Sequence, residues 1–527
     1  MRLSTLGLAG RGAIAAALLA AQLAVAQAES ILKVALHSDL KIIDPVWTTA
    51  LISTHHGFMI YDTLFALDEK LEVKPQMVER LSVSDDKLTW TFTLRDGLAW
   101  HDGSPVTAED CVASLKRWAA RDGMAQKLMS FVAELKAADS NTFIMRLKEP
   151  YGLVLATLGK PTSNVPFMMP KRVAETDPNT QITDTTGSGP FIFKKEQWKP
   201  GEKAVYLKNP NYKPRPEPPS GFAGGKVVKV DRVEWVWIAD PQTQINALIN
   251  GEIDFIEAPP HDLLGLAEAD PNIAFRVVAP MGRQYAFRFN VLHKPFDNAK
   301  IRQAVAYALN QRDFLEATVG NPKYYLECKS LYPCGSPLET SKGWEDKLKN
   351  DAAKARQLLE EAGYDGTPVV LMQSTDIASL SNLAPVAKSL LEKAGFKVDL
   401  QAMDWQTLVA RRAKKDPPAS GGWSVYITSW GSVDVLDPVS TNFLNASCEH
   451  ATFGWPCDQE LEGLRDAYAK ATDPAKQKTL AEAISQRAAE YPTHVVLGQY
   501  LQPAAFRKNI VGVLVATNPV FWNIEKK

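Results

Sequence analysis

Pro368-Val-Val-Leu-Met-Gln373, Phe396-Lys-Val-Asp-Leu-Gln-Ala402 and Trp423-Ser-Val-Tyr-Ile-Thr428 are three strand-like runs within one stretch, and the segments between them read as helices. The first helix spans Asn382 to Ala394 and is closed by Gly395; the second spans Trp405 to Lys414. Strand and helix alternating in this order predict an α/β sheet with parallel strands. Working outward, the third strand empties into Tyr426-Ile-Thr-Ser-Trp-Gly-Ser-Val-Asp-Val-Leu-Asp-Pro438, where Gly431 and Asp437-Pro438 mark the passage from strand to loop. Ligands of α/β folds gather at such carboxyl edges. Here the edge offers a flat apolar surface, Trp430, and an acid, Asp434, with Gly431 and Ser432 between them and no basic residue from Tyr426 to Pro438. That combination suits an amine-bearing ligand. The competing reading packs Trp430 under the loop and uses Asp434 or Asp437 as a helix cap.

The first 28 residues read as a processing segment. Arg2 and Arg11 form a basic start, Ala13 to Ala26 is apolar, and Ala26-Gln27-Ala28 is a small-x-small cleavage site. Cleavage after Ala28 leaves no Cys at the new terminus, so no lipoprotein anchor is expected. No later stretch has the apolar length of a membrane span. The expectation is an exported, periplasmic protein. Of 527 residues 499 remain, enough for about three domains. They carry 57 basic against 60 acidic residues once Arg2 and Arg11 go, a balance that recruits neither nucleic acid nor anionic lipid.

Five cysteines fall in a compartment that permits disulfides. Cys328 and Cys334 flank one short loop, Cys448 and Cys457 another, and two local bridges are expected with Cys111 left as a buried thiol. A four-cysteine metal site is disfavoured, because neither pair has the close spacing of zinc ligands.

Elsewhere the punctuation is clear. A helix is predicted from about Thr49 to Tyr61, with His55 and His56 on different faces and unable to grip one ion together; His56 shares its face with Ile52, Met59 and Ile60, which gives it a packed or cleft-lining role. Thr107 and Asp110 form a capping box, and Asp240-Pro241 and Gly251 bracket a helix between strands at Val230–Ile238 and Ile253–Ile256. His101, in a turn, reads as structural. Strands are also expected at Val495–Gln499 and Ile510–Val515. Thirteen Trp are spread along the chain; those beside turns, Trp405 and Trp430 among them, could form slots for an apolar ligand side chain.

Catalytic motifs are missing. There is no His-Glu-x-x-His, Gly221 to Lys226 is too short for a phosphate loop and lacks its Ser or Thr, and Ser188 lacks the glycine spacing of a nucleophile elbow. No enzyme, cofactor or resident metal is expected.

Several motifs occur in order: Arg95-Asp96-Gly97, His101-Asp102-Gly103, Pro105 to Asp110, Ser114 to Arg117, Gly187-Ser188-Gly189-Pro190-Phe191, Asn209-Pro210-Asn211-Tyr212, Ala247-Leu248, Gly251 to Asp254 and Arg302-Gln303-Ala304. In this the chain resembles the family 5 extracellular solute-binding proteins, the peptide, dipeptide, glutathione and nickel receptors of ABC importers. The resemblance implies a two-lobed periplasmic binding protein of type II, in the large class with an inserted domain and a hinge between lobes. Residues 29–60, 187–283 and 500–527 would form lobe one, 61–186 the insertion, and 284–499 lobe two, with crossings near Arg283 and Tyr500. It also implies that Asp434, with Trp430 before it, receives the ammonium of a peptide or similar small molecule, although the sequence shows no adjacent Arg for a ligand carboxylate. An inner-membrane ABC permease would be the partner, and the receptor a monomer. The alternatives are a metal or metal-chelate receptor of nickel type using His56, and a hydrolase with an unrecognised carboxylate pair.

Overall fold

The computed structural model describes residues 29–527, and the predicted signal peptide lies outside them. One layer is a seven-stranded sheet in the order Ile273–Val277, Pro503–Arg507, Phe255–Ile256, Ile31–Ala35, Arg232–Val236, Lys203–Lys208, Phe191–Phe193. Ile31–Ala35 runs parallel to both Arg232–Val236 and Phe255–Ile256, so these three strands empty at one edge. The predicted strand-helix-strand unit forms as its punctuation dictates. The Asp240 side chain accepts from Thr243 N–H at the start of helix Pro241–Asn250, and Gly251 ends the helix at φ 76°, a left-handed conformation glycine adopts without penalty.

The second layer is a six-stranded sheet in the order Tyr325–Leu326, His494–Tyr500, Arg283–Phe289, Val425–Gly431, Val369–Ser374, Val398–Met403. Val369–Ser374 is parallel to both of its neighbours, as the strand-helix alternation predicts. Arg283–Phe289 and His494–Tyr500 are antiparallel, which makes the sheet mixed. The reason is connectivity: these two strands arrive from and return to the seven-stranded sheet through residues 278–282 and 501–502, with no helical crossover to reverse them.

A four-stranded antiparallel sheet, Val78–Val83, Thr89–Leu94, Thr142–Leu147 and Val132–Ala137, forms a third body. Helix Ala108–Ala119 packs beside it, started by the reciprocal Thr107 and Asp110 capping box and burying Cys111, Leu115 and Trp118. Two buried ion pairs add to its attachment: Arg117 to Asp44 at 2.8 Å, and Lys226 to Asp62 at 2.7 Å.

The strand expected at Ile510–Val515 is shorter, only Ile510–Val511 pairing with Glu525–Lys526. Gly512 turns the chain at φ 78°, where a Cβ would lie 2.3 Å from the Asn523 carbonyl oxygen. Cys328 is bonded to Cys334 and Cys448 to Cys457, with Cα separations of 5.9 and 4.1 Å. Cys111 is a buried free thiol whose pKa burial pushes up. Among the described residues no helix is long and apolar enough to cross a membrane.

Candidate ligand-binding cleft

A cavity of about 840 Å³ opens where the three bodies meet. Leu71 and Glu72 line it from the turn between the paired short strands Phe65–Leu67 and Val73–Pro75, Met281 and Gly282 at one crossing, and Leu436 and Tyr468 in the body built on the six-stranded sheet. Its volume suits a small-molecule or short-peptide ligand.

Next to it, the exit of strand Val425–Gly431 tightens into one 3₁₀ turn, Ser432–Val435, which carries Asp434. A smaller cavity of about 150 Å³ is lined by Trp430, Asp434, Asp437, Lys160, Thr162 and Ser163, among others. Asp434 is half-buried, and its Oδ1 accepts hydrogen bonds from the hydroxyls of Thr162 and, at 3.3 Å, Ser163. Among the described residues it has no ion-pair partner; the nearby Lys160 ammonium is paired with Asp122. Burial pushes the Asp434 carboxyl above the usual carboxylate range, partly opposed by the Thr162 hydrogen bond, Lys160 and Arg283. Asp437 serves its own turn, its Oδ1 accepting from the N–H groups of Val439 and Ser440.

Arg283 was not apparent from the sequence as a neighbour of this acid. It lies directly across the sheet from Gly431, bringing a cation to the loop that has none of its own. Its Nε donates to Ser429 Oγ at 3.0 Å, and Ser429 Oγ is 2.9 Å from the Tyr500 hydroxyl. Burial works against the guanidinium charge, but Tyr500, Asp434 and Glu257 more than offset this and hold its pKa up.

Trp430 is half-buried, edge-on to Phe443 at 5.3 Å, with part of its surface in the smaller cavity. Gly431 leaves room for the acid: a Cβ there would lie 3.0 Å from Asp434 Oδ2. Ser432 N–H donates to the Gly282 carbonyl at 3.0 Å, tying the loop to the crossing, while its buried hydroxyl has no partner among the described residues.

Two of the expected ligand-binding residues lie away from this group. Trp405 does not join this group; it packs with Met372, Leu408, Trp423 and Tyr426 in a separate cluster and lines neither cavity. His56 is fully buried, its Nδ1 2.9 Å from the Tyr206 hydroxyl and its ring edge-on to Phe193 at 4.7 Å, and burial lowers its pKa to about 3. A chelate receptor built on His56 loses its basis. The neighbouring His55 points instead toward His37 and Glu257, and these three are, among the described residues, the group of His, Cys, Asp and Glu spaced to hold an ion.

Two α/β bodies joined by two short crossings, with a cavity where the crossings pass, define the class of two-lobed binding proteins that close on a solute. Residues 72–452 match the bacterial extracellular solute-binding proteins, family 5 Middle, and the chain belongs to that family. It is 42% identical over 525 residues, covering 99% of this chain and 98% of the relative, to the "probable peptide ABC transporter periplasmic-binding protein y4tO" of Sinorhizobium fredii. Its fold is that of a dipeptide-binding protein from Pseudoalteromonas solved with Met-Leu, at a TM-score of 0.78 and 18% identity over 94% of this chain and all of that one. NikZ from Campylobacter jejuni, solved with Ni(L-His), has a TM-score of 0.75 at 19% identity over 93% of this chain and 97% of that one.

Proposed function

We propose that this chain is the receptor of an ABC importer that captures a peptide, or another amine-bearing solute, and that Asp434 receives the ammonium. Family membership and the 42% identical relative, named for peptide transport, support the solute class. The observation that carries the anchor is Asp434 itself, a half-buried carboxylate held by two neutral hydroxyls and, among the described residues, by no ion pair. A ligand ammonium can take the place of those hydroxyls with a charge-assisted bond, a contribution of about 1.5–3 kcal/mol. Arg283, across from Gly431, is placed to balance a ligand carboxylate. Trp430 and the backbone of the 431–434 turn supply contacts that tolerate different side chains.

In this reading residues 29–60, 187–283 and 500–527 form lobe one, 61–186 the insertion and 284–499 lobe two. The lobes hinge at the crossings near Arg283 and Tyr500, and the closed form docks on an inner-membrane permease. The receptor is a periplasmic monomer, cleaved after Ala28, and returns its guest unmodified. Incubation with a defined dipeptide mixture, removal of free peptide and mass spectrometry of the released guest tests this. Stoichiometric recovery of intact peptide is expected; recovery of hydrolysed products, or of none, would refute it.

A further inference from the structure

We propose that His37, His55 and Glu257 form a divalent-cation site of the zinc and nickel class, separate from Asp434. Their donor atoms lie within 4.8 Å of one another. Two imidazoles and one carboxylate are the three-ligand set of open zinc sites, which leave a position free for water or an incoming group. Imidazole donors favour Zn²⁺, Ni²⁺ or Cu²⁺ over Mg²⁺ and Ca²⁺.

The fold builds this cluster at a carboxyl edge. His37 follows strand Ile31–Ala35, Glu257 directly follows Phe255–Ile256, and these strands are parallel neighbours. His55 comes down from helix Leu51–Ile60 onto the same point, its Nε2 3.8 Å from Glu257 Oε1. The His55 side chain is 1% exposed, and among the described residues its ring nitrogens meet only Asn518 and Glu257, neither in a well-aligned hydrogen bond. A buried imidazole so loosely partnered is costly unless something occupies one of its nitrogens.

His37 has its Nδ1 2.7 Å from Glu257 Oε2 and its backbone N–H bonded to the same oxygen at 2.9 Å. An ion entering there displaces the proton held between them. The His37 side chain is 28% exposed and gives the way in.

The position also ties the site to the cleft. Asn518 lies beside His55 and follows Thr517, which lines the large cavity. Arg283, next to the cavity-lining Gly282, acts electrostatically on Glu257 and His55. Its positive charge opposes a bound cation, so the affinity should fall below that of a closed structural zinc site.

The test uses the mature chain, stripped with chelator and titrated calorimetrically with Zn²⁺ and Ni²⁺, with Mg²⁺ as control and no peptide present. One ion per chain is expected, with no Mg²⁺ heat, and repetition in buffers of different ionisation enthalpy should show proton release. His37→Ala and Glu257→Gln should each weaken Zn²⁺ binding about tenfold or more, since losing a ligand costs at least as much as losing a supporting outer-shell partner. His450→Ala, at an exposed histidine, should leave binding unchanged. His37 is partly exposed, so its variant should keep the native circular dichroism and remain decisive if Glu257→Gln misfolds. Zn²⁺ binding that is absent, or equal in wild type and folded His37→Ala, would overturn the site. Because no peptide enters this assay, its failure leaves the Asp434 reading untouched.

Discussion

Asp434 and Thr162, 272 residues apart in the chain, are joined by a hydrogen bond from the threonine hydroxyl to Asp434 Oδ1. The acid stands at a strand exit of the six-stranded sheet, and the hydroxyl comes from the segment that follows the four-stranded one. Ser163 adds a second bond at 3.3 Å. The bond therefore joins two segments that line the smaller cavity, and both donors are neutral, so a charged donor arriving with a solute has an advantage over them.

Replacing Asp434 by Asn keeps an acceptor for Thr162 and removes the charge. Affinity for free-amine peptides should fall by about 2–5 kcal/mol, read by calorimetric titration. Stability should move the other way. An acid whose pKa is raised on folding binds more protons in the native state than in the unfolded one, so stability drops as pH rises through that interval. Burial raises Asp434 in this sense. At neutral pH its ionised form is a burden, and Asp434→Asn should melt at the same temperature as wild type or higher. A large loss of melting temperature with retained affinity would reverse the assignment.

The same shift sets a pH dependence of capture. Ammonium binding needs the Asp434 carboxylate, and its pKa lies above the ordinary range. Affinity should weaken on acidification before exposed carboxylates begin to titrate, and Asp434→Asn should flatten the profile. Titrations from neutral to mildly acidic pH would show this; identical profiles for the two proteins would count against it.

Glu257 has the opposite sign. Its pKa, about 2, lies below the unfolded value, so its stabilisation is complete above the ordinary carboxylate range and disappears as pH falls toward 2. Glu257→Gln should cost about 1.5–3 kcal/mol at neutral pH, and the gap from wild type should close in acid. Urea unfolding at several pH values measures it. A gap that persists at low pH would mean the loss is one of packing.

Lys226 and Asp62, 0% and 2% exposed in their side chains, form a pair 2.7 Å apart, with Lys226 over the Trp522 ring at 5.0 Å. Lys226→Met strands the Asp62 charge and should cost about 3–5 kcal/mol. Adding Asp62→Leu should recover part of that loss in denaturant titrations. A double variant less stable than the single one would show that Asp62 acts mainly through its other partners, the Tyr212 hydroxyl at 2.9 Å and the Thr63 N–H at 3.0 Å.

Local signals were the legible ones. The 368–428 alternation, the Thr107–Asp110 capping box and the Asp240–Gly251 helix each depend on residues close in sequence, and the structure forms all three. Trp430 and Asp434 could be picked out for the same reason, since a strand exit is a local pattern. Thr162, Ser163 and Lys160 come from a passage without periodicity, and Arg283 reaches Gly431 only through sheet register. His56 drew attention in place of His55 because the helix is buried from Ile52 to Ile60 on every side, so apolar spacing could not say which histidine met the sheet and which the carboxyl edge. Trp405 stands beside a turn but packs against a core cluster, a distinction that rests on residues of other elements, Met372 and Tyr426 among them, gathering into that cluster.

The central claim is that a carboxylate in the cleft captures a solute by its free amine. Calorimetric titration of the mature chain with one dipeptide and with its N-acetylated counterpart tests it most directly. Stoichiometric binding of the free-amine form, and loss of about 2 kcal/mol or more on acetylation, is the predicted result. Equal affinity for both forms would contradict the account.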